Sequence, residues 1–289
     1  MNFKPILGAS LDDVPLESLA YPLIALPKLD GLRVIVYEGV AYSRNAKPIR
    51  NEFVQAWAKP LHNLDGEIIV GSPTEGLVLE RSKAVTAFKG EPDFRFHLFD
   101  CYDHDGGYEQ RVTDVQRELA GEDRISPVFW AKVHTADEVR ALEAQFLDAG
   151  YEGLILRNPK GIYKNGRSTV NEGYLMKLKR FIDGEAVVLR LEEAQQNNNE
   201  LTRDELGRAK RASNQENKAG KGMIGTIIGL DKTWGEIRIS PGIMPHSERA
   251  ALWHSPQNIL GRTIHWRSFG YGVMNAPRFA RCYGIREDL

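Results

Sequence analysis

The chain has 289 residues, of which 42% are hydrophobic and 27% are charged, and its formal net charge is −1. This length is enough for two domains, or for one large domain with a sizeable core. No stretch approaches the roughly 20 apolar residues that a membrane-spanning helix needs, and the first residues lack the apolar run of a secretion signal. The two cysteines, Cys101 and Cys282, form no C-x-x-C pair. This spacing argues against a zinc site or a disulfide framework and fits a reducing compartment.

The first part of the chain predicts a mixed α/β domain. Segments rich in β-branched and aromatic residues predict strands at residues 33–37, 65–70, 94–100 and 153–157. Thr135 is placed to cap a helix whose apolar residues recur with a helical period, and Gly150 is placed to end it.

The second part predicts a small β-barrel or sandwich, beginning after a boundary near residues 181–184. Short strand-like runs alternate there with glycine-marked turns at residues 185–191, 223–230, 236–240, 262–268 and 281–285. Between the first two runs, residues 197–222 are polar, punctuated by glycine and free of aromatic side chains. A structureless loop of this length is usually either functional or disordered.

Positive charge is concentrated locally, although the total is close to neutral. Residues 157–180 contain seven basic side chains and one acidic side chain, Glu172. Such a cluster can neutralise phosphates and release counterions. A solvated charged surface is the alternative interpretation of a run of this size.

The sharpest local motif is Lys28-Leu29-Asp30-Gly31, which precedes the strand beginning at Arg33. A lysine amine is a nucleophile only when it is deprotonated, a form that nearby positive charge and partial desolvation favour. Gly31 permits a tight turn into the strand. Alone, K-x-D-G also fits a surface lysine before an Asp-Gly turn.

Other groups suited to phosphoryl chemistry follow this motif in order. Glu67 and Glu152 are carboxylates at strand starts, Phe99 offers an aromatic ring, and Lys177 and Lys179 point to one face of a single strand. Each signal alone also fits a core aromatic residue or a solvated charge. Together, and in this order, they resemble the covalent nucleotidyltransferase superfamily of DNA ligases, RNA ligases and mRNA capping enzymes. The resemblance is closest to small ATP-dependent DNA ligases of viral and phage type, and it extends over nearly the whole chain.

The resemblance implies an α+β fold with two domains. Residues 1–182 are expected to form a nucleotidyltransferase (adenylation) domain with antiparallel sheets, and residues 183–289 an OB-fold β-barrel. The resemblance places the stretch between the family's fourth and fifth motifs at residues 158–169 and the join to the second domain at residues 179–186. The last motif corresponds to residues 277–279 and 284–288. The segment at about 197–222 resembles a hairpin latch that enters a groove of nicked DNA. Its charge of +2, from six basic and four acidic residues, predicts mainly phosphate contacts and order only on DNA binding. The alternative is a disordered insertion without function.

The resemblance also assigns the nucleotide chemistry. Lys28 attacks the α-phosphorus of ATP to give lysyl-AMP and pyrophosphate. AMP then passes to the 5′-phosphate of a nick, and the 3′-hydroxyl displaces it. Phe99 stacks on adenine and Glu67 holds the ribose. Glu67 and Glu152 together arrange a divalent metal, Mg²⁺ or Mn²⁺, around the phosphates.

The remaining roles concern phosphates and the nick. Lys177 and Lys179 contact the α-phosphate, where negative charge develops. Asp30 meets the 3′-hydroxyl, and Arg286 orients pyrophosphate from the second domain. Three arginines are expected to bind the phosphate of AMP and the 5′-phosphate of the nick, namely Arg33, Arg44 and Arg167. The latch adds candidates for DNA contact, namely Arg203, Arg208, Lys210, Arg211 and Lys218.

Leu26 and Pro27 depart from the family pattern, because many relatives carry a polar residue two positions before the lysine that reads the adenine amino group. Recognition of adenine must then use backbone carbonyls or another side chain. An RNA ligase or a capping-type enzyme is the alternative within the superfamily, and a non-catalytic nucleic-acid-binding module is the alternative outside it. The expected partner is nicked double-stranded DNA. We expect a monomer in the cytoplasm of a bacterial or phage-infected cell.

Overall fold

The computed structural model describes residues 4–75, 78–179, 181–203, 209–211, 217–268, 277 and 279–286. The chain divides into two compact units. The first comprises Met1–Lys179 together with Arg203, and the second comprises Arg180–Thr202 and Ala209–Leu289. Each unit has its own hydrophobic core.

The first unit contains two five-stranded sheets, here called sheet A and sheet B. Its strands are β1 (Ala9–Ser10), β2 (Leu23–Pro27), β3 (Leu32–Tyr37), β4 (Val40–Ser43), β5 (Leu64–Val70), β6 (Phe94–Cys101), β7 (Ile125–Pro127), β8 (Ala131–Val133), β9 (Gly153–Arg157) and β10 (Met176–Lys179). Its helices are α1 (Glu52–Ala58), α2 (Val78–Ser82), α3 (Tyr108–Glu118) and α4 (Ala136–Asp148). Sheet A has the order β4–β3–β5–β6–β7, and sheet B has the order β1–β10–β9–β2–β8.

Sheet A is antiparallel apart from the pairing of β6 with β7. Alternate residues of its strands fill the core, among them Val34, Ile68 and Phe96, which have no exposed surface. The opposite face carries polar groups, because successive side chains of a strand point to opposite sides. On that face Arg33 of β3 lies directly opposite Glu67 of β5.

Sheet B places β9 between β2 and β10, with antiparallel pairing on both sides. Pro27 of β2 pairs with Leu154, and Lys179 of β10 pairs with Gly153. The end of β2, the start of β9 and the end of β10 therefore lie side by side. Helix α4 packs behind the sheet, and the Thr135 hydroxyl caps it by accepting a hydrogen bond from the backbone N–H of Glu138 at 3.2 Å.

The second unit is built on one five-stranded sheet, with the order β15–β14–β11–β16–β17. Its strands are β11 (Ile182–Asn197), β12 (Leu201–Arg203), β13 (Ala209–Arg211), β14 (Lys218–Asp231), β15 (Gly235–Ile239), β16 (Thr263–Ser268) and β17 (Arg281–Ile285), and its helix is α5 (His246–His254). Backbone bonds join the two edges of the sheet: Ser240 N–H donates to the Ala280 carbonyl at 2.9 Å, and Cys282 N–H donates to the Ser240 carbonyl at 2.9 Å. Trp266 is 1% exposed in the core of this unit.

Most predicted elements are confirmed, including the α+β class, the strands of the first part and the helix that begins after Thr135. One expectation is partly wrong. Residues 197–222 are not one structureless loop, because β14 begins at Lys218, where it pairs with Asn197 of β11, and β12 pairs with β13. In these paired strands, backbone hydrogen bonds satisfy the peptide groups, so no apolar face is needed. The polar sequence therefore lacks the alternating apolar pattern that would predict strands.

A membrane-spanning helix would have to be long and apolar, and none of the helices in the described part of the chain meets both conditions.

Candidate active site

Lys28 is held at one end of sheet B by the backbone. Its N–H donates to the Gly153 carbonyl at 2.9 Å, and its carbonyl accepts from the Glu152 N–H at 3.2 Å. The side chain of Lys28 forms an ion pair with one carboxylate oxygen of Glu152, and Lys179 pairs with the other oxygen. One carboxylate thus serves two ammonium groups, and the three side chains come from three adjacent strand ends.

Lys177 stands on the same face of β10 as Lys179, and it lies among several cations. Burial lowers the pKa of Lys177, and the charges of its neighbours lower it further; these neighbours are Arg167, Lys179, Lys28 and Arg44. Arg167 is fixed by a hydrogen bond of 2.8 Å from its Nη1 to the Gly8 carbonyl. The structure therefore brings together the basic residues that the sequence predicted around Lys28.

Glu67 reaches the same site from sheet A. Its Oε1 accepts a hydrogen bond from the Gly31 N–H at 3.1 Å. Gly31 is required by close approach, since a Cβ there would lie 2.6 Å from the Ile68 carbonyl oxygen. Burial raises the pKa of Glu67 to about 7, while Lys28 and Arg33 oppose this rise. The buried carboxylate is therefore short of positive partners.

Arg33 is bound on several sides. Its Nε and Nη2 donate to the two oxygens of Asp65 at 2.9 and 2.5 Å, and its Nη1 donates to the Ile6 carbonyl at 2.6 Å. The Tyr163 hydroxyl donates to the same Asp65 carboxylate at 2.6 Å. The guanidinium carbon lies 5.5 Å from the centre of the Phe99 ring. No role was assigned to Asp65 or Tyr163 from the sequence. These residues lie 98 positions apart, and no short sequence pattern indicates a contact over that distance.

A second buried ionic group lies beside Phe99. Asp100 has no exposed surface and accepts from the Arg111 Nε at 2.7 Å, while Arg157 pairs with its other oxygen at 2.6 Å. The Arg157 guanidinium also lies 3.8 Å from the ring centre of Tyr108. This group joins β6 of sheet A to β9 of sheet B and to α3. It therefore fixes the spacing between the two sheets that carry the site, and the sequence interpretation missed it.

An apolar region adjoins the cationic one. Leu26 lies on the same face of β2 as Lys28, and Ile155 of β9 pairs with it. Phe99 and Ile155 pack against a cluster that contains Leu26 and Leu29. The site thus changes from apolar to cationic within a few residues.

The other predicted residues lie elsewhere in the structure, or outside the residues that it describes. Asp30 is partly buried between β2 and β3, and Arg44 is exposed just beyond β4. Arg286 belongs to the second unit, where its Nη1 donates to the two oxygens of Glu185 at 2.7 and 2.9 Å. The latch candidates on strands are Arg203 on β12, Lys210 and Arg211 on β13, and Lys218 at the start of β14. Arg180, Arg208, Arg278, Glu287 and Asp288 lie outside the described residues.

A divalent metal has two acidic side chains available at this site. Among the described residues, no group of three or more His, Cys, Asp or Glu side chains is arranged to hold a metal ion. The charge of Glu152 contributes to the raised pKa of Glu67, so the two carboxylates lie near one another. Mg²⁺ is usually bound by one or two carboxylates together with substrate phosphates. Glu67 and Glu152 fit that donor set.

Comparison with known proteins agrees with this geometry. The family model described as "ATP dependent DNA ligase domain" matches residues 10–179. A DNA ligase of African swine fever virus is 29% identical over 132 residues, which cover 44% of this chain and 31% of the viral protein. A DNA ligase of the archaeon Natronomonas pharaonis is 32% identical over 163 residues, which cover 48% of this chain and 29% of the archaeal protein. The chain thus spans about a third of the length of these relatives.

A solved structure covers both units. The crystal structure of Chlorella virus DNA ligase-adenylate has a TM-score of 0.54 to this chain at 26% identity, with 98% of this chain and 99% of that chain covered.

Proposed function

Because the chain belongs to the family of ATP-dependent DNA ligase domains, we propose that it is an ATP-dependent DNA ligase that seals nicks in duplex DNA through lysyl-AMP and DNA-adenylate. The observation that carries this proposal is the shared ion pair of Lys28 and Lys179 with Glu152, surrounded by further cations. Nucleotidyl transfer requires a nucleophilic lysine surrounded by cations that bind the phosphates of the nucleotide.

In the first step, the free amine of Lys28 forms a bond to the α-phosphorus of ATP and releases one proton to solvent, and the bond from that phosphorus to the bridging oxygen breaks. Pyrophosphate leaves with the electron pair of that bond. The ion pair of Lys28 with Glu152 must open before attack. Lys177 and Lys179 neutralise the charge that develops on the α-phosphate.

The nucleoside half of ATP binds next to the apolar region. Phe99 stacks on adenine, and Ile155 lies across the site from sheet B. Glu67 accepts a hydrogen bond from the ribose. Asp100 and Arg157 hold the strand of Phe99 in place.

A divalent cation would be held by Glu67 and Glu152. When bound, it supplies positive charge that neutralises the phosphates. The raised pKa of Glu67 supports this assignment, because a buried carboxylate with too few positive partners gains most from an added cation.

In the later steps, AMP passes from Lys28 to the 5′-phosphate, and the 3′-hydroxyl then displaces AMP. Arg33, Arg44 and Arg167 bind the phosphates, and Asp30 meets the 3′-hydroxyl. Arg33 also has a structural role, because its Nε and Nη2 already donate hydrogen bonds to Asp65.

The second domain, residues 183–289, is proposed to be an OB-fold barrel that binds the duplex and supplies Arg286 to the pyrophosphate. The backbone bonds that join the two edges of its sheet support this fold. Residues 197–222 form the latch, whose basic residues contact DNA phosphates. We propose that the protein acts as a monomer.

The activity is tested by supplying labelled ATP or GTP, and then a nicked duplex of DNA or RNA. The proposal predicts label transfer from ATP alone and sealing of nicked DNA. Sealing of nicked RNA only, or labelling by GTP, would indicate an RNA ligase or a capping-type enzyme instead. Absence of any label transfer would favour a non-catalytic binding module.

A further inference from the structure

Trp130 lies at the far end of a row of side chains that crosses sheet B. Strand β8 pairs antiparallel with β2 up to Ala131 and Ala25, and one step further along this register Trp130 comes opposite Leu26. On the other side of Leu26 the row continues with Ile155 of β9 and Lys177 of β10. Paired residues share a face of the sheet, so Trp130 stands on the face that carries Lys28.

The surroundings of Trp130 support this placement. Its ring packs against the apolar cluster that contains Leu26 and Leu29, where Phe99 and Ile155 also pack. Its neighbour Phe129 is 60% exposed and instead contacts Phe146 of α4, on the other side of the sheet. The aromatic ring of Trp130 therefore belongs to the apolar end of the nucleotide site.

The indole N–H of Trp130 is a further feature of this end. The ring is partly buried, and its N–H is not among the buried side-chain atoms that lack a hydrogen-bond partner in the described part of the chain. The group is therefore open to a ligand, whereas the ring itself packs against apolar side chains. Leu26, 2% exposed, has no polar side-chain atom, and Pro27 has no backbone N–H to donate. Trp130 thus supplies a hydrogen-bond donor where this part of β2 has none.

We propose that Trp130 is a nucleotide-binding residue whose indole packs against the edge of the adenine of ATP and donates its N–H to a ring nitrogen of the base. This inference rests on the proposed function, because it takes ATP as the ligand of the site. It gives the adenine a polar contact that Leu26 and Pro27 do not provide. It also explains why a large aromatic residue stands at the end of a row that runs toward Lys177.

Intrinsic fluorescence tests the contact without any reaction. In Lys28→Ala, which cannot be adenylylated, binding of ATP with Mg²⁺ should quench tryptophan emission. In the double variant Lys28→Ala/Trp130→Phe the ATP-dependent quench should be lost, although the other four of the five tryptophans remain. An unchanged quench in the double variant would overturn the inference.

Kinetics of adenylylation provide the second test. Trp130→Ala should raise KM for ATP about tenfold, the usual effect of removing an aromatic ring from a base, while kcat changes little. Trp130→Phe keeps a ring but loses the N–H, so its KM should lie between those of wild type and Trp130→Ala. Phe129→Ala is the matched control, with unchanged KM. Thermal unfolding of each variant separates loss of binding from loss of folding.

The two proposals fail in different ways. An unchanged KM in folded Trp130→Ala would overturn the role of Trp130 and leave the ligase assignment intact. A wild-type protein that shows the Trp130-dependent quench but never gains AMP would overturn the ligase assignment and leave Trp130 as a nucleotide-binding residue.

Discussion

Lys28 and Glu152 form an ion pair at one end of sheet B, although 124 positions separate them in the sequence. The pair arises from register: β2 ends where β9 begins, and reciprocal backbone hydrogen bonds lock the two residues together. Lys179 reaches the same carboxylate from β10. The candidate nucleophile, its counter-charge and a second lysine are thus fixed by three strand ends rather than by a flexible loop.

Replacing Glu152 by Gln should reduce adenylylation on the order of 100-fold, because removing one charged group from a preorganised site has effects of that size. Lys28 and Lys179 would lose their shared counter-charge, and the divalent cation would lose a carboxylate. Single-turnover label transfer from ATP measures the effect. Glu75→Gln is the control, since Glu75 is exposed and pairs with Arg81. Wild-type rates in Glu152→Gln would contradict the role given to this carboxylate.

Glu67 should make stability depend on pH. Its pKa is about 7 in the folded protein against an ordinary value of 4.5, so the folded state holds the proton more tightly than the unfolded state. The stability of the metal-free protein should therefore fall as pH rises from 4.5 to 7, because over this window the unfolded chain releases the proton that the folded protein still holds. Glu67→Gln removes this loss and should be more stable than wild type at pH 8, by about 2 kcal/mol after allowance for partial exposure.

Urea unfolding of both proteins at pH 4.5 and pH 8 measures this difference. The advantage of Glu67→Gln should be small at the lower pH and larger at the higher one. Equal stabilities at both values would show that Glu67 ionises normally.

Arg157→Met should destabilise the first unit by about 3–5 kcal/mol, the usual result of removing one partner from a buried ion pair. Arg157 is 1% exposed and Asp100 is fully buried, so water cannot replace the lost partner. Arg111 still pairs with Asp100 in the variant, so the effect should lie at the lower end of this range. Arg190→Ala offers a contrast, because its pair with Glu236 lies on the surface and should matter little. Chemical unfolding compares the two variants. Similar small effects would mean that the Asp100 group does not join the two sheets.

The latch can be removed without disturbing the sheet beneath it. Asn197 pairs with Lys218, and the Asn198 N–H donates to the Asn217 carbonyl at 2.9 Å. Replacing residues 199–216 by an Asn-Gly turn should therefore keep the hairpin of β11 and β14. Affinity for nicked DNA should fall while adenylylation stays unchanged, because Lys28 lies in the other unit. Unchanged nick affinity, measured by gel shift at fixed salt, would show that this segment is not a latch.

Local patterns were sufficient for most elements, but not for contacts between distant segments, and the role proposed for Lys28 came from the family resemblance rather than from its local motif alone. The strand at residues 153–157 and the helix after Thr135 follow from composition and capping, which act within a few residues. The contact of Tyr163 with Asp65 depends on how a loop crosses a finished sheet, and no short pattern encodes it. The strands within residues 197–222 were indicated only by the resemblance to a hairpin latch, because they bury no regular apolar face and periodicity therefore carries no signal.

Intact-mass analysis after incubation with ATP and Mg²⁺ tests the central claim most directly. The wild-type protein should gain one AMP, peptide mapping should place it on Lys28, and Lys28→Ala should gain none, whereas the exposed-lysine control Lys83→Ala should react normally. A protein that stays at its original mass, or that carries AMP on a lysine other than Lys28, would contradict the account.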